Sequence, residues 1–342
     1  MQGDASDDFQ WDQDASRLVS RKLQASDEAA VEHLAGQGAH GGDFLRAFRS
    51  AVERHWDAQG PWLLDTMALE NPAGGLLCAA VHADSADVLH EHRIELFLAF
   101  DPPIAESALA PLFLEALERA AYRHWGAERR MRPPGDPLAD VPAFMRITVI
   151  DDPVLARVAS ARGFELGHAE DDMVRGRKPA LDDASREALR QGALAGVLAP
   201  WSDETATHFF RAYEASFEDR PGFPGWSETR WRAFATEYDS FRADLSCVLL
   251  GSDAPVAFRI VAIEPGESGS TAHVVQLGVV PGARRHGTGA ALLADLDDRL
   301  PEDVRTLELS VGANNPAARA LFERDGFEVL RRRSVYRKPL GD

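Results

Sequence analysis

Apolar residues along this chain fall into short continuous runs separated by stretches with apolar positions at helical spacing, the pattern of a mixed α/β fold. Residues 1–28 carry many acids and few apolar side chains, which predicts a mostly disordered tail with room for a short helix. A helical pattern follows at Phe44, Leu45, Phe48 and Val52. Strand-like runs occupy 62–70, 75–83, 93–100 and 145–150, with a helix predicted over 105–125. Residues 154–162 read as a helix stopped by Gly163, and a last strand falls near Met173. The basic, proline-ended stretch 175–179 and a helix over 180–191 read as a boundary. The predicted organisation is therefore a tail (1–28), a first domain (29–178), a linker (179–194) and a second domain (195–342).

The second half repeats this order. A short strand at 197–200 leads to a helix capped at Ser202. A turn-rich loop, Arg220 to Ser227, precedes a helix over 228–238. Residues 246–251 and 256–264 read as a strand pair, and the apolar run 274–280 as a buried strand. Leu292, Leu293, Leu296 and Leu300 share one helix face. A strand at 305–311, a helix at 316–324 and a hairpin over 328–338 close the pattern. Pro153 and Pro316, Gly163 and Gly326, and Phe164 and Phe327 recur at a constant offset of 163 residues. This repeat, with the matching element order, predicts two copies of one fold.

The chemistry concentrates between the strand at 274–280 and the helix that follows. There Arg284, Gly287 and Gly289 spell R-x-x-G-x-G. Helix starts carry unpaired N–H groups and partial positive charge, usually answered by an acidic residue. The stretch Arg284, Arg285, His286, Gly287, Thr288, Gly289, Ala290 has none. Its glycines permit close backbone approach, so the loop reads as an anion cradle suited to a pyrophosphate. It lacks the Lys-Ser/Thr of a Walker loop and the spacing of a dinucleotide fingerprint. The first copy has Asp101, Pro102, Pro103, Ile104, Ala105 and Glu106 at the corresponding place, where prolines remove donors and acids repel phosphate.

Composition narrows the reading. The 342 residues are 45% hydrophobic and 27% charged, with a formal net charge of -18, which argues against nucleic acid and membrane partners. Two cysteines, Cys78 and Cys247, sit in apolar runs and suit a reduced, cytoplasmic protein. The acidic N-terminus is unlike a signal peptide, and no apolar stretch is long enough to span a membrane. No metal-ligand spacing occurs, so no metal is expected.

The loop, together with Asn315, Ala318, Gly326 and Phe327 in the segment 314–327, resembles the two signatures of the GCN5-related N-acetyltransferases, the GNAT family. The two-copy architecture resembles the mycothiol synthase group. The resemblance implies two tandem GNAT folds, the first degenerate, and acetyl-CoA as acyl donor. It implies that the cofactor wedges between two splaying strands. Leu277, Gly278 and Val279 would pair with its pantetheine arm, the segment Arg284 to Ala290 would take the pyrophosphate, and Asn315 and Phe322 would touch it. The acceptor would be a small-molecule amine that attacks the thioester directly in a ternary complex, on a protein that is a monomer or homodimer. His273 stands where relatives place a glutamate base, with a solvent-facing strand histidine as the alternative. Relatives commonly carry a tyrosine acid at the position of Phe322, which has no proton to give; either the CoA thiolate leaves without help or Tyr336 or Ser310 is the substitute, Tyr336 also reading as a packing residue. Phe223 and Trp226 are assigned to the acceptor pocket or to packing. The absent tyrosine leaves open a non-catalytic acyl-CoA-binding sensor or scaffold.

Overall fold

A computed structural model of the chain describes residues 19–21, 23–36, 66–70, 76–87, 91–100, 142–220, 223, 225–236, 240–266 and 269–340, with single helical positions between 45 and 52 and between 111 and 130. In chain order the elements are β1 (Val19–Arg21), α1 (Glu28–Gly36), β2 (Thr66–Glu70), β3 (Leu76–Asp87), β4 (Glu91–Phe100), β5 (Ala143–Ile150), α2 (Pro153–Ala161), β6 (Glu165–Gly176) and α3 (Asp183–Gln191). They continue with β7 (Val197–Pro200), α4 (Ala206–Phe217), α5 (Glu228–Ala235), β8 (Cys247–Leu250), β9 (Pro255–Glu264), β10 (Ser270–Val279), α6 (Thr288–Arg299), β11 (Val304–Gly312), α7 (Pro316–Arg324) and β12 (Glu328–Pro339).

Contacts divide the chain into two compact units, Met1–Ala169 with Arg333–Asp342, and Glu170–Arg332. The first has strand order β1-β2-β3-β4-β5-β12, the second β7-β8-β9-β10-β11-β6. The orders are the same except that each sixth strand comes from the other half of the sequence. Residues 333–339 of β12 pair antiparallel with β5, and residues 170–176 of β6 pair antiparallel with β11. The units therefore do not coincide with sequential halves split at 179–194. The offset of 163 residues reappears in the helices: α2 and α7 are matched residue for residue in their bounds. Asp152 and Asn315 cap them through side-chain oxygens, and Gly163 and Gly326 end them at φ 81° and 91°.

The second unit is a sheet with helices on both faces. On one face Val261, Ala272, Val274, Leu307 and Leu309 pack against Leu293 and Leu296 of α6 and Phe322 of α7. On the other, Phe258 and Ile260 pack against Phe209 and Tyr213 of α4 and Trp231 of α5. Strand alternation puts successive side chains of β9–β11 on opposite faces, so a two-sided core follows from the apolar runs seen in the sequence. In the first unit Ile94, Leu96, Met145 and Ile147 pack with Leu114, Ala121, Leu155 and Ala159.

Three expectations need correction. Residues 19–28 are not a disordered tail: β1 pairs with β2, Leu23 is fully buried and α1 starts at Glu28. Residues 1–18 and the loop 101–106 lie outside the described residues, as does most of the expected helix around Phe48. The expected closing hairpin is instead one continuous strand, β12, whose residues 333–339 pair with β5. Helix α4 starts at Ala206 rather than after Ser202; Ser202 and Thr205 instead bond each other's backbone N–H groups, at 2.9 and 3.2 Å.

Candidate active site

A fork opens between β10 and β11. The two strands pair in parallel from Ser270–Val304 up to Val274–Leu309, and pairing stops there. Both strands run on, to Val279 and Gly312. On its other edge β10 stays bonded to β9 as far as Val279–Ala257, with an irregularity between Val274 and Gln276 that re-aims the strand. The edge of β10 that faces the fork is thus left without a strand partner over Val275–Val279, a span of about 16 Å at ~3.3 Å per residue.

At the far end of that edge lies the glycine loop. Residues Pro281–Ala283 form a 3₁₀ turn, Arg285 adopts φ 71°, and Gly287 adopts φ 82° just before α6. Gly287 supplies no side-chain cap and the first turn of α6 holds no acid. Ala291 is the first residue whose N–H reaches an intrahelical carbonyl, that of Gly287 at 2.9 Å. The N–H groups of Thr288, Gly289 and Ala290 have no acceptor among the described residues. The two glycines do different work. Gly287 supplies the left-handed conformation. Gly289 lets the helix start press inward, since a Cβ there would stand 2.9 Å from Leu321 Cδ2.

The side chains around the loop divide by role. Arg284 is a brace: its guanidinium donates to the carbonyls of Val279 (3.0 Å) and Ser216 (2.8 Å) and to Asp219 (3.2 Å). That contact holds the Asp219 carboxyl below the usual carboxylate range. Arg285 and His286 are exposed and have no such engagement among the described residues. Ser216, at the end of α4, is 5% exposed, and its hydroxyl has no partner among the described residues. It lies 3.0 Å from where a Cβ of Gly278 would be.

Below the fork, on the face of α4 and α5, three side chains meet. His273 of β10 is directly opposite Glu308 of β11, one row before the last pair. Its Nε2 is 3.5 Å from Glu308 Oε2 and 3.8 Å from Glu264 Oε2. The imidazole side chain is 33% exposed. Ser310, the first residue of β11 past the fork, donates its hydroxyl to Asp172 at 2.7 Å. Sequence reading missed Glu264 and Glu308, because cross-strand neighbours depend on register, which periodicity alone does not reveal.

The other expected site residues make packing or capping contacts. Tyr336 packs against the core of the first unit, opposite Ile147. Phe322 is 6% exposed with its ring 5.8 Å from that of Phe327, so it offers the fork little surface. Asn315 spends its side-chain oxygen on the N–H of Ala318, at 3.1 Å. Phe223 and Trp226 are half-buried, with ring centroids 5.4 Å from Tyr213 and 5.1 Å from Phe234. They pack on the aromatic cluster of α4 and α5.

An unpaired strand edge, a buried hydroxyl without a partner and a bare helix start form one line. It fits a long ligand with an amide-bearing arm and an anionic end. Residues 204–327 match the sequence model of the Acetyltransferase (GNAT) family. Those residues form a GNAT domain. A curated relative, L-2,4-diaminobutyric acid acetyltransferase from Nocardia farcinica, is 40% identical over 90 residues, covering 25% of this chain. That match spans only 44% of the relative's length. A GCN5-related N-acetyltransferase from Sphaerobacter thermophilus superposes with a TM-score of 0.63 at 18% identity, over 95% of this chain and 96% of that one. A tandem GNAT protein from the clavulanic acid biosynthesis pathway gives 0.53 at 18% identity, over 95% and 99%. At that identity the likeness speaks for the fold: two GNAT folds in tandem. No group of three or more metal-ligating side chains occurs among the described residues, and no described helix is long and apolar enough to cross a membrane.

Proposed function

We propose that this chain transfers an acetyl group from acetyl-CoA to the amine of a small cationic molecule, using only its second GNAT domain. The observation that carries the reading is the fork between β10 and β11 in line with the acid-free start of α6. The N–H groups of Thr288, Gly289 and Ala290 hold the pyrophosphate, with Arg285 and His286 beside them. The edge Leu277–Gly278–Val279, supported by the Ser216 hydroxyl, orients the pantetheine arm. Acetyl-CoA supplies the thioester at the fork.

An amine at neutral pH is mostly protonated and cannot attack. His273 takes one proton from the acceptor ammonium, freeing the nitrogen lone pair. The C–N bond forms to the acetyl carbon and the C–S bond breaks. The remaining excess proton passes from the nitrogen to the departing thiolate, relayed by water or by the Ser310 hydroxyl, since Phe322 has no proton to donate, and His273 releases its own proton to solvent. Glu264 and Glu308 beside His273, and the net charge of -18, favour a cationic acceptor. The relative named for L-2,4-diaminobutyric acid supports a small diamine of that class.

The test is release of free CoA from acetyl-CoA with a panel of diamines and amino acids. The wild type turns over at least one of them, and His273→Ala lowers kcat by about a hundredfold. Phe322 favours a second reading, an acyl-CoA-binding sensor. Tight acetyl-CoA binding without CoA release for any amine supports that reading instead.

A further inference from the structure

We infer that Glu308 is the positioning residue of a histidine–glutamate dyad in which it fixes the tautomer and orientation of His273. The inference rests on the acetyltransferase reading above. Parallel pairing places the two residues directly opposite each other on β10 and β11, on the same face. The approach is made by Nε2, at 3.5 Å from Glu308 Oε2. Nδ1 has no partner among the described residues. In a neutral imidazole one nitrogen carries the proton and the other the lone pair, and the group bonded to one nitrogen decides which. A carboxylate at Nε2 keeps the proton there and leaves the lone pair on Nδ1. When Nδ1 accepts the acceptor's proton, the carboxylate also faces the positive ring.

A separation of 3.5 Å is longer than a formed N–H···O bond. Such pairs are often long in unliganded sites and tighten when substrate fills the site. Glu264 also faces Nε2, but from 3.8 Å, diagonally, on a side chain 55% exposed against 33% for Glu308. Glu308 is the carboxylate that the register holds in place. It touches neither donor nor acceptor in this assignment and acts only through the imidazole.

A double-mutant cycle tests this, with kcat and both KM values measured for each variant and folding checked by circular dichroism. Glu308→Gln lowers kcat roughly tenfold to a hundredfold, with the KM for acetyl-CoA unchanged. Glu308→Asp retains part of the rate, and stands in should the glutamine variant fail to fold. In the His273→Ala background, Glu308→Gln has no further effect on kcat. An equal loss in both backgrounds overturns the dyad, and so does a loss confined to the acceptor KM, which would make Glu308 a direct ligand of the ammonium. Absence of CoA release by the wild type with every amine is a different failure, that of the acetyltransferase reading itself.

Discussion

Arg284 begins the glycine motif, yet its side chain points back into the protein. Three acceptors hold it: the carbonyls of Val279 and Ser216 and the carboxylate of Asp219. It ties the end of β10 to the end of α4, which is how the loop keeps its bare N–H groups aimed outward. Arg284→Ala should therefore raise the KM for acetyl-CoA about tenfold while leaving kcat within about twofold, the pattern of lost ground-state binding. Steady-state kinetics at saturating amine check it. A kcat loss without a KM change would mean that the brace serves the chemistry instead. The motif residues were legible because their signal is local: two glycines and a missing acid. His273 was singled out by counting along one strand. Glu308 was not, since only the pairing of β10 with β11 brings it beside the imidazole. Asn315 caps α7 and Tyr336 packs on the first core, and a sequence does not separate those roles from ligand contact.

Among the elements, β6 is the one whose importance the linear pattern hid. A strand near Met173 was legible, but not its partner, because strand pairing between distant segments leaves no periodic trace. It delivers Arg175, 6% exposed, to Asp297 at 2.9 and 2.6 Å and to Asp325 at 2.9 Å. Leaving such a buried pair half-made costs about 3–5 kcal/mol. A fragment spanning 195–342 lacks β6 and strands Asp297, whereas one spanning 170–332 keeps the whole second unit. The longer-starting fragment should unfold cooperatively in urea and the other should not; a cooperative transition for 195–342 alone would remove β6 from the account.

The same strand carries Asp171, fully buried and bonded by Arg332 and Arg319. Hydrogen bonds from Arg332 hold its carboxyl below the usual range despite burial, and the charges of Arg332 and Arg319 add to the effect. A depressed folded-state value means the stabilisation is complete above the unfolded value, ~3.9, and lost as pH falls through the folded one. The melting temperatures of wild type and Asp171→Asn should thus lie apart at pH 6, and the gap should narrow progressively as the pH falls below about 4. A gap that stays constant to pH 2 would assign the residue a packing role.

At the scale of the molecule, the tandem architecture was readable from the repeat and the matching element order, while the exchange of sixth strands was not. The two copies share strand order but not the loop: only the second has R-x-x-G-x-G, and the first has prolines and acids in its place. The account therefore allows one acetyl-CoA per chain, held at the start of α6. Gly287 is the place to challenge it. A side chain there finds open space, with Ala193 Cβ at 3.8 Å, and bears a backbone strain of ~1–2 kcal/mol. Gly289 is less suitable, since a Cβ there would stand 2.9 Å from Leu321 Cδ2 and Leu321 would have to shift. The most direct measurement is a calorimetric titration of acetyl-CoA into wild type and Gly287→Glu, both shown to be folded by circular dichroism. One site per wild-type chain, weakened at least about tenfold in the variant, is the expected result. Unchanged affinity in the folded variant, or two equivalent sites per chain, would contradict it.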